Sequence, residues 1–194
     1  MRLWEQCEVR AWERALAGYD ARIEHRETAR LPELDRWYRS ELPGLLASRP
    51  KPYLKLAELV NVTSWKMKRG TYRARNLVLV KQNAEADVRA LSRQAFEAVP
   101  DLRKPIAHLA TLSGVGPATA SAVLAAWRPD LFPFFDEEVA QQIPSLGKVA
   151  FTASYYFRYG DALRARAAEL HKHSPRDGWT AHTAAQALWA VSGR

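Results

Sequence analysis

Apolar residues along this chain recur three and four positions apart, and stretches in which Val, Ile or Thr alternate with polar residues are scarce. Such a period lines up side chains on one face of a helix rather than one side of a strand. The pattern predicts helices over 3–18, 31–48, 53–64, 72–82, 84–98, 104–111, 117–127, 137–142, 146–158, 161–172 and 180–191. Asn83 and Asp161 stand where N-caps belong, and Glu85 and Asp87 put acid near a helix start. Pro105 and Pro117 fall at predicted first positions, which tolerate a missing N–H. The expected fold class is all-α.

Two soft joints interrupt this pattern, "LASRPKP" around Pro50 and Pro52, and "HKHSPRDGW" from His171 to Trp179. There is no internal repeat and no low-complexity segment. The economical architecture is a central helical lobe over 53–143, with the flanking helices of 1–52 and 144–194 packing as a second lobe.

Composition narrows the class. The 194 residues are 47% hydrophobic with seven tryptophans, which fits a folded chain with a real core. Twenty-nine Lys and Arg against 21 Asp and Glu give a net charge of +8, a balance that favours a polyanionic partner. Cys7 is the single cysteine, which excludes an internal disulfide and a thiolate-held iron–sulfur cluster and suits a reducing compartment. The N-terminus is charged throughout and lacks the apolar stretch of a signal peptide, and no apolar run is long enough to span a bilayer. The expectation is an intracellular protein, cytoplasmic or nuclear, without a membrane partner.

Candidate chemistry begins at "LSGVGPATASAVL", Leu112 to Leu124. Gly114 and Gly116 permit positive φ and close backbone approach, and Val115 between them can plug into a core. Pro117 then opens an alanine-rich helix whose first-turn amides point at the hairpin mouth. Free amides and the positive end of the helix dipole make an anion site, to which Thr119 adds a hydroxyl. A plain packing turn would use the same glycines.

The unit resembles the helix-hairpin-helix of the HhH-GPD superfamily of DNA glycosylases. In that family a Leu-Pro-Gly-Val-Gly-like turn leads into an alanine-rich helix, then a loop, then an aspartate that starts another helix. Here the loop is "WRPDLFPF" and Asp136, in "FFDEEVAQQI", falls at the matching spacing. The resemblance covers about residues 109–143. It implies duplex DNA as partner, with a phosphate held by the hairpin at Gly114, Gly116, Pro117, Ala118 and Thr119. It also implies a monovalent cation on the carbonyls of Ala110, Leu112 and Val115, and no other cofactor. Bifunctional members carry a lysine where this chain has Ala118, so lyase chemistry by that lysine is ruled out and monofunctional hydrolysis is implied. Ser113 replaces the family's proline, and Glu137 and Glu138 replace its small or polar residues.

One ionised carboxylate beside a sugar can stabilise an oxocarbenium-like transition state and activate water, the role Asp136 would take. Phe132, Phe134 and Phe135 would exclude water around it, and the helix start behind it would hold it ionised. A simple N-cap accounts for the same residue. Glu137 and Glu138 read as solvent-facing first-turn acids.

The densest basic run, "SWKMKRGTYRARNLVLVK", carries Lys66, Lys68, Arg69, Arg73, Arg75 and Lys81 with no acid among them. It is expected to face phosphates, while Trp65 reads as core and Tyr72 as part of a solvated turn between two helices. "FTASYYFRYG" at 151–160 reads as core as well. His171 and His173 lack further ligands at fitting spacing, His25, His108 and His182 are isolated, and no metal site is expected from side chains. The leading expectation is a monomeric DNA glycosylase of the monofunctional kind. The alternatives are a duplex DNA-binding module without excision, and a helical protein–protein interaction domain with a structural hairpin.

Overall fold

The computed structural model describes residues 2–173 and 178–192, so the joint at Ser174–Asp177 lies outside the described residues. Twelve α-helices are present among them and no strand: α1 Val9–Ala17, α2 Tyr19–His25, α3 Leu31–Arg36, α4 Leu42–Ala47, α5 Leu56–Arg69, α6 Ala74–Lys81, α7 Glu85–Glu97, α8 Lys104–Ala110, α9 Pro117–Trp127, α10 Glu137–Ala140, α11 Ala153–His173 and α12 Ala181–Val191. The chain is all-α.

α9 and α12 form the centre. Every residue of α9 from Ala118 to Ala126 is buried, as is every residue of α12 from Ala181 to Ala190 except Thr183. A helix apolar on all sides belongs inside, and the many alanines let neighbours approach closely. α5, α8 and α4 pack on α9, α1 and α2 pack on α12, and α11 touches both. Buried side chains from 1–52, 53–143 and 144–194 all join one hydrophobic cluster.

Four departures from the periodicity have physical causes. The helix expected over 31–48 is divided by a π-helical turn at Trp37–Glu41, next to Pro43, which can neither donate an N–H nor tolerate the carbonyl four residues back. α5 runs on to Arg69 because the residues expected as a loop are captured by the core. There the Trp65 ring stacks on Tyr38 at 3.7 Å and its indole N–H donates to Asp35 at 2.8 Å. α2 was hidden behind Gly18 and is held by the buried pair Tyr19 and Ile23, four residues apart.

α11 is one helix where two were expected, and it begins at Ala153 rather than 146. Its buried stripe Tyr155, Tyr156, Tyr159, Leu163, Ala167 and Leu170 passes through Gly160 unbroken. Asp161 is therefore no N-cap but lies mid-helix, paired with Arg164 at 2.6 Å. His171 and His173 are in its last turn and exposed, not in a loop. Ala84, not Asn83, occupies the N-cap position of α7.

Candidate active-site cleft

The hairpin between α8 and α9 uses its two glycines differently. Gly114 has φ +75°, and a Cβ there would meet Asn76 O at 2.6 Å, Leu79 Cβ at 2.9 Å and Val80 N at 2.9 Å. Its role is to let the turn lie directly on the α6 backbone. Gly116 is extended at φ −101° with open space where a Cβ would be, so no steric demand of the fold requires glycine there.

Ser113, in place of the family's proline, keeps an N–H that donates to Asn83 Oδ1 at 2.8 Å, and Asn83 Nδ2 returns a bond to Ser113 O at 2.9 Å. Asn83 thus clamps the hairpin to the end of α6 rather than capping α7. Leu112 and Val115 are buried as plugs. Pro117 opens α9 as expected, and the Ala118 amide, second in the helix, lacks an intrahelical acceptor. Thr119 corrects the expectation: it is buried, and its amide donates to Gly116 O at 3.0 Å, because the third residue of α9 faces the interior. Leu112 O accepts from the Val115 amide at 3.1 Å; a cation on Ala110, Leu112 and Val115 has no other support than the resemblance.

Asp136 is the N-cap of α10, its Oδ1 accepting from the Glu138 amide at 2.9 Å. It is 6% exposed, and its Oδ2 lies 3.3 Å from Nε of Arg69, itself 1% exposed. Arg69 was expected on the DNA-facing surface and instead points inward from the last turn of α5. Its guanidinium sits over Trp189 at 4.1 Å and 5.3 Å from the rings of Tyr19, Trp65 and Phe134, and donates to the Tyr19 hydroxyl at 2.9 Å. The delocalised cation suits an aromatic box better than an ammonium would. Burial raises the Asp136 carboxyl above its ordinary range, Arg69 opposing, so the helix start does not by itself hold the group strongly ionised.

The loop that presents Asp136 is fixed from three helices. Ser121 of α9 accepts from the Phe135 amide at 2.9 Å, and the hydroxyls of Tyr159 and Tyr156 donate to Phe134 O at 2.7 Å and Pro133 O at 3.2 Å. His182 Nδ1 accepts from the Phe134 amide at 3.3 Å. Burial, with Arg69 adding to it, pushes that imidazole down to about 3, so it is neutral and can accept. Sequence reasoning passed over these four residues; the aromatic richness of 151–160 was visible, but not that its hydroxyls hold the aspartate loop.

Asp136 lines a cleft of about 190 Å³ together with Lys66, Arg73, Ala118, Glu137 and Phe151. Burial and then Arg73 push the Lys66 amine down to about 8, Asp136 opposing. Glu138 is not the solvent-facing acid expected. It binds Arg22 at 2.6 Å, Arg26 at 2.8 Å and the Ser192 hydroxyl at 2.8 Å, and these partners outweigh its desolvation and lower its pKa.

The rest of the basic run divides. Lys68 is half-buried and donates to Ala29 O at 2.7 Å, while Arg73, Arg75 and Lys81 are exposed, Arg73 lying 5.5 Å from the Phe151 ring. Trp65 is core as expected, and Tyr72 is 63% exposed beside Arg73. No group of His, Cys, Asp and Glu side chains suited to a metal is present among the described residues, and no helix there is long and apolar enough to cross a membrane.

Comparison with curated proteins and with solved structures finds no match. A family model matches residues 73–188, a span that holds the hairpin, Asp136 and the residues that fix its loop, and leaves Lys66 and Arg69 outside. The chain therefore belongs to the family described as a family of unknown function, DUF6308.

Proposed function

We propose that the chain binds duplex DNA and hydrolyses the N-glycosidic bond of a damaged or modified base, with Asp136 as the carboxylate beside the sugar. The observation that carries this reading is the shared cleft: Asp136 and Ala118, from the amide-presenting start of the hairpin helix, line the same cavity as Lys66 and Arg73. A phosphate at the α9 terminus would bring an adjacent sugar toward the carboxylate. Exposed Tyr72, Arg73 and Arg75 offer a stacking ring and two cations along the approach. The carboxyl's raised pKa makes it a stronger base toward water than an ordinary aspartate. The protein would act as a monomer on its duplex.

A second reading, a duplex-binding module without excision, is supported by the Arg69 contact, which already neutralises the Asp136 carboxylate from inside the core.

Two measurements test the proposal. Affinity for a duplex should fall steeply with salt and weaken in Arg73→Ala; binding indifferent to salt would defeat both readings. Duplexes carrying uracil, alkylated or oxidised bases, heated in alkali after incubation, should be nicked by the native chain and left intact by Asp136→Asn. Salt-sensitive binding with no nicking across the panel selects the module.

A further inference from the structure

Arg26 and Glu138 line the Asp136 cleft and also a second, larger cavity of about 1110 Å³. Four arginines line this cavity: Arg2 near the N-terminus, Arg14 on α1, and Arg22 and Arg26 on and just after α2. Glu138 is the one carboxylate among its described lining residues, and Arg22 and Arg26 converge on it at 2.6 and 2.8 Å. Two further acids act from outside the lining. Glu5 accepts from the Arg2 backbone amide at 3.3 Å, and Asp136, which attracts Arg22, is matched by its own Arg69. With Glu138 and Glu5 both set against the four guanidiniums, the cavity keeps an excess of positive charge. Arg14 is exposed, and its neighbours three and four residues away, Arg10, Ala11, Ala17 and Gly18, include no acid.

The residue types narrow the ligand. Guanidinium forks match the oxygens of phosphate and keep their charge at any physiological pH. No aromatic ring lines the cavity, so it offers nothing on which a base would stack. Arg22 and Arg26 meet at a single carboxylate, which brings their forks close together. That spacing suits phosphates joined by bridging oxygens better than the phosphates of a strand, which are a nucleotide apart.

We propose that this cavity is a binding site for a condensed phosphate, a triphosphate chain gripped by Arg2, Arg14, Arg22 and Arg26. Glu138, in the fork of Arg22 and Arg26, is the internal anion with which the ligand competes. The chain is read and whatever it carries is not, so free tripolyphosphate and the tail of a nucleoside triphosphate are equivalent ligands. The site does not depend on the DNA reading, since Arg73 lines the other cleft alone.

The test is calorimetric titration of the full chain with tripolyphosphate in magnesium-free buffer at physiological salt. Saturable binding of one ligand per chain is expected, weakened at least about tenfold in Arg2→Gln/Arg14→Gln. The charge-matched Lys51→Gln/Lys104→Gln, at exposed positions outside the cavity, should stay within about twofold of the native affinity. All four positions are exposed, so neither variant disturbs the core. Absence of saturable binding, or equal loss in the two variants, overturns the proposal. Nucleoside triphosphates should bind as tripolyphosphate does and a nucleoside monophosphate at least about tenfold more weakly. A monophosphate as tight as tripolyphosphate, or an oligonucleotide that takes the cavity in its place, overturns it too. Arg73→Ala should leave tripolyphosphate affinity unchanged even where it weakens duplex binding, so the failure of either reading is seen separately.

Discussion

Arg69 Nε and Asp136 Oδ2 lie 3.3 Å apart with both side chains almost sealed from solvent, so the carboxylate facing the cleft is also one half of a buried ion pair. Removing one partner of such a pair leaves an uncompensated charge and costs about 3–5 kcal/mol. Arg69→Met should therefore lower the urea-unfolding free energy by roughly that much at pH 7. Burial already raises the carboxyl's pKa, and loss of Arg69 raises it further. A carboxyl that binds its proton more tightly when folded gains stability as pH falls through its folded pKa toward the unfolded value. The deficit of Arg69→Met should thus shrink on moving from pH 7 to pH 5; a deficit that grows there would contradict the ion pair.

The hairpin glycines separate packing from binding. Gly114→Ala puts a Cβ 2.6 Å from Asn76 O at positive φ, and should cost on the order of 3 kcal/mol. Gly116→Ala meets open space and should leave the unfolding midpoint nearly unchanged. Loss of duplex affinity in Gly116→Ala at unchanged stability would then report crowding of a phosphate at the mouth, whereas unchanged affinity would make the hairpin a packing device.

How much of this was legible in the sequence follows from the range of each interaction. α9 was readable to the residue because Pro117 and the apolar run are local signals, and Asp136 was readable as a cap for the same reason. α5 beyond residue 64 was not, since Trp65 and Arg69 are helical only through partners on α2, α3 and α12. The groups fixing Phe134 and Phe135 lie 14, 25 and 48 residues away, and no periodicity encodes them. Arg69 was misassigned for a related reason: within one basic run, α5 sends Lys66 to the cleft and Arg69 to the core, while Arg73, past the end of α5, is exposed at the cleft's edge.

Lys66 makes the cleft costly to fold. A lysine whose pKa falls from 10.5 to about 8 binds its proton less well in the folded chain, so it opposes folding below pH 10.5 and does so fully below about 8. Lys66→Met, similar in length and uncharged, should raise stability at pH 7 by about 1–2 kcal/mol, allowing for its partial exposure. The gain should shrink as unfolding is measured from pH 8 up toward 10.5. A destabilised Lys66→Met would mean that the amine is structurally satisfied.

His182 supplies the acid limb. Its imidazole titrates near 3 in the folded chain against 6.5 ordinarily, so its contribution is complete above about pH 6.5 and is lost as pH falls toward 3. Over that window its slope approaches roughly 1.4 kcal/mol per pH unit. The loss should be visible as a falling urea midpoint between pH 6.5 and 4. His182→Asn keeps an oxygen able to accept from the Phe134 amide but has no proton to gain, and should flatten this part of the profile. Because that amide belongs to the loop presenting Asp136, the native chain should lose its grip on the aspartate loop before it unfolds. Hydrogen exchange at Phe134 and Phe135 near pH 5 should therefore rise ahead of the α12 amides, and simultaneous exchange at both would tie His182 to global unfolding alone.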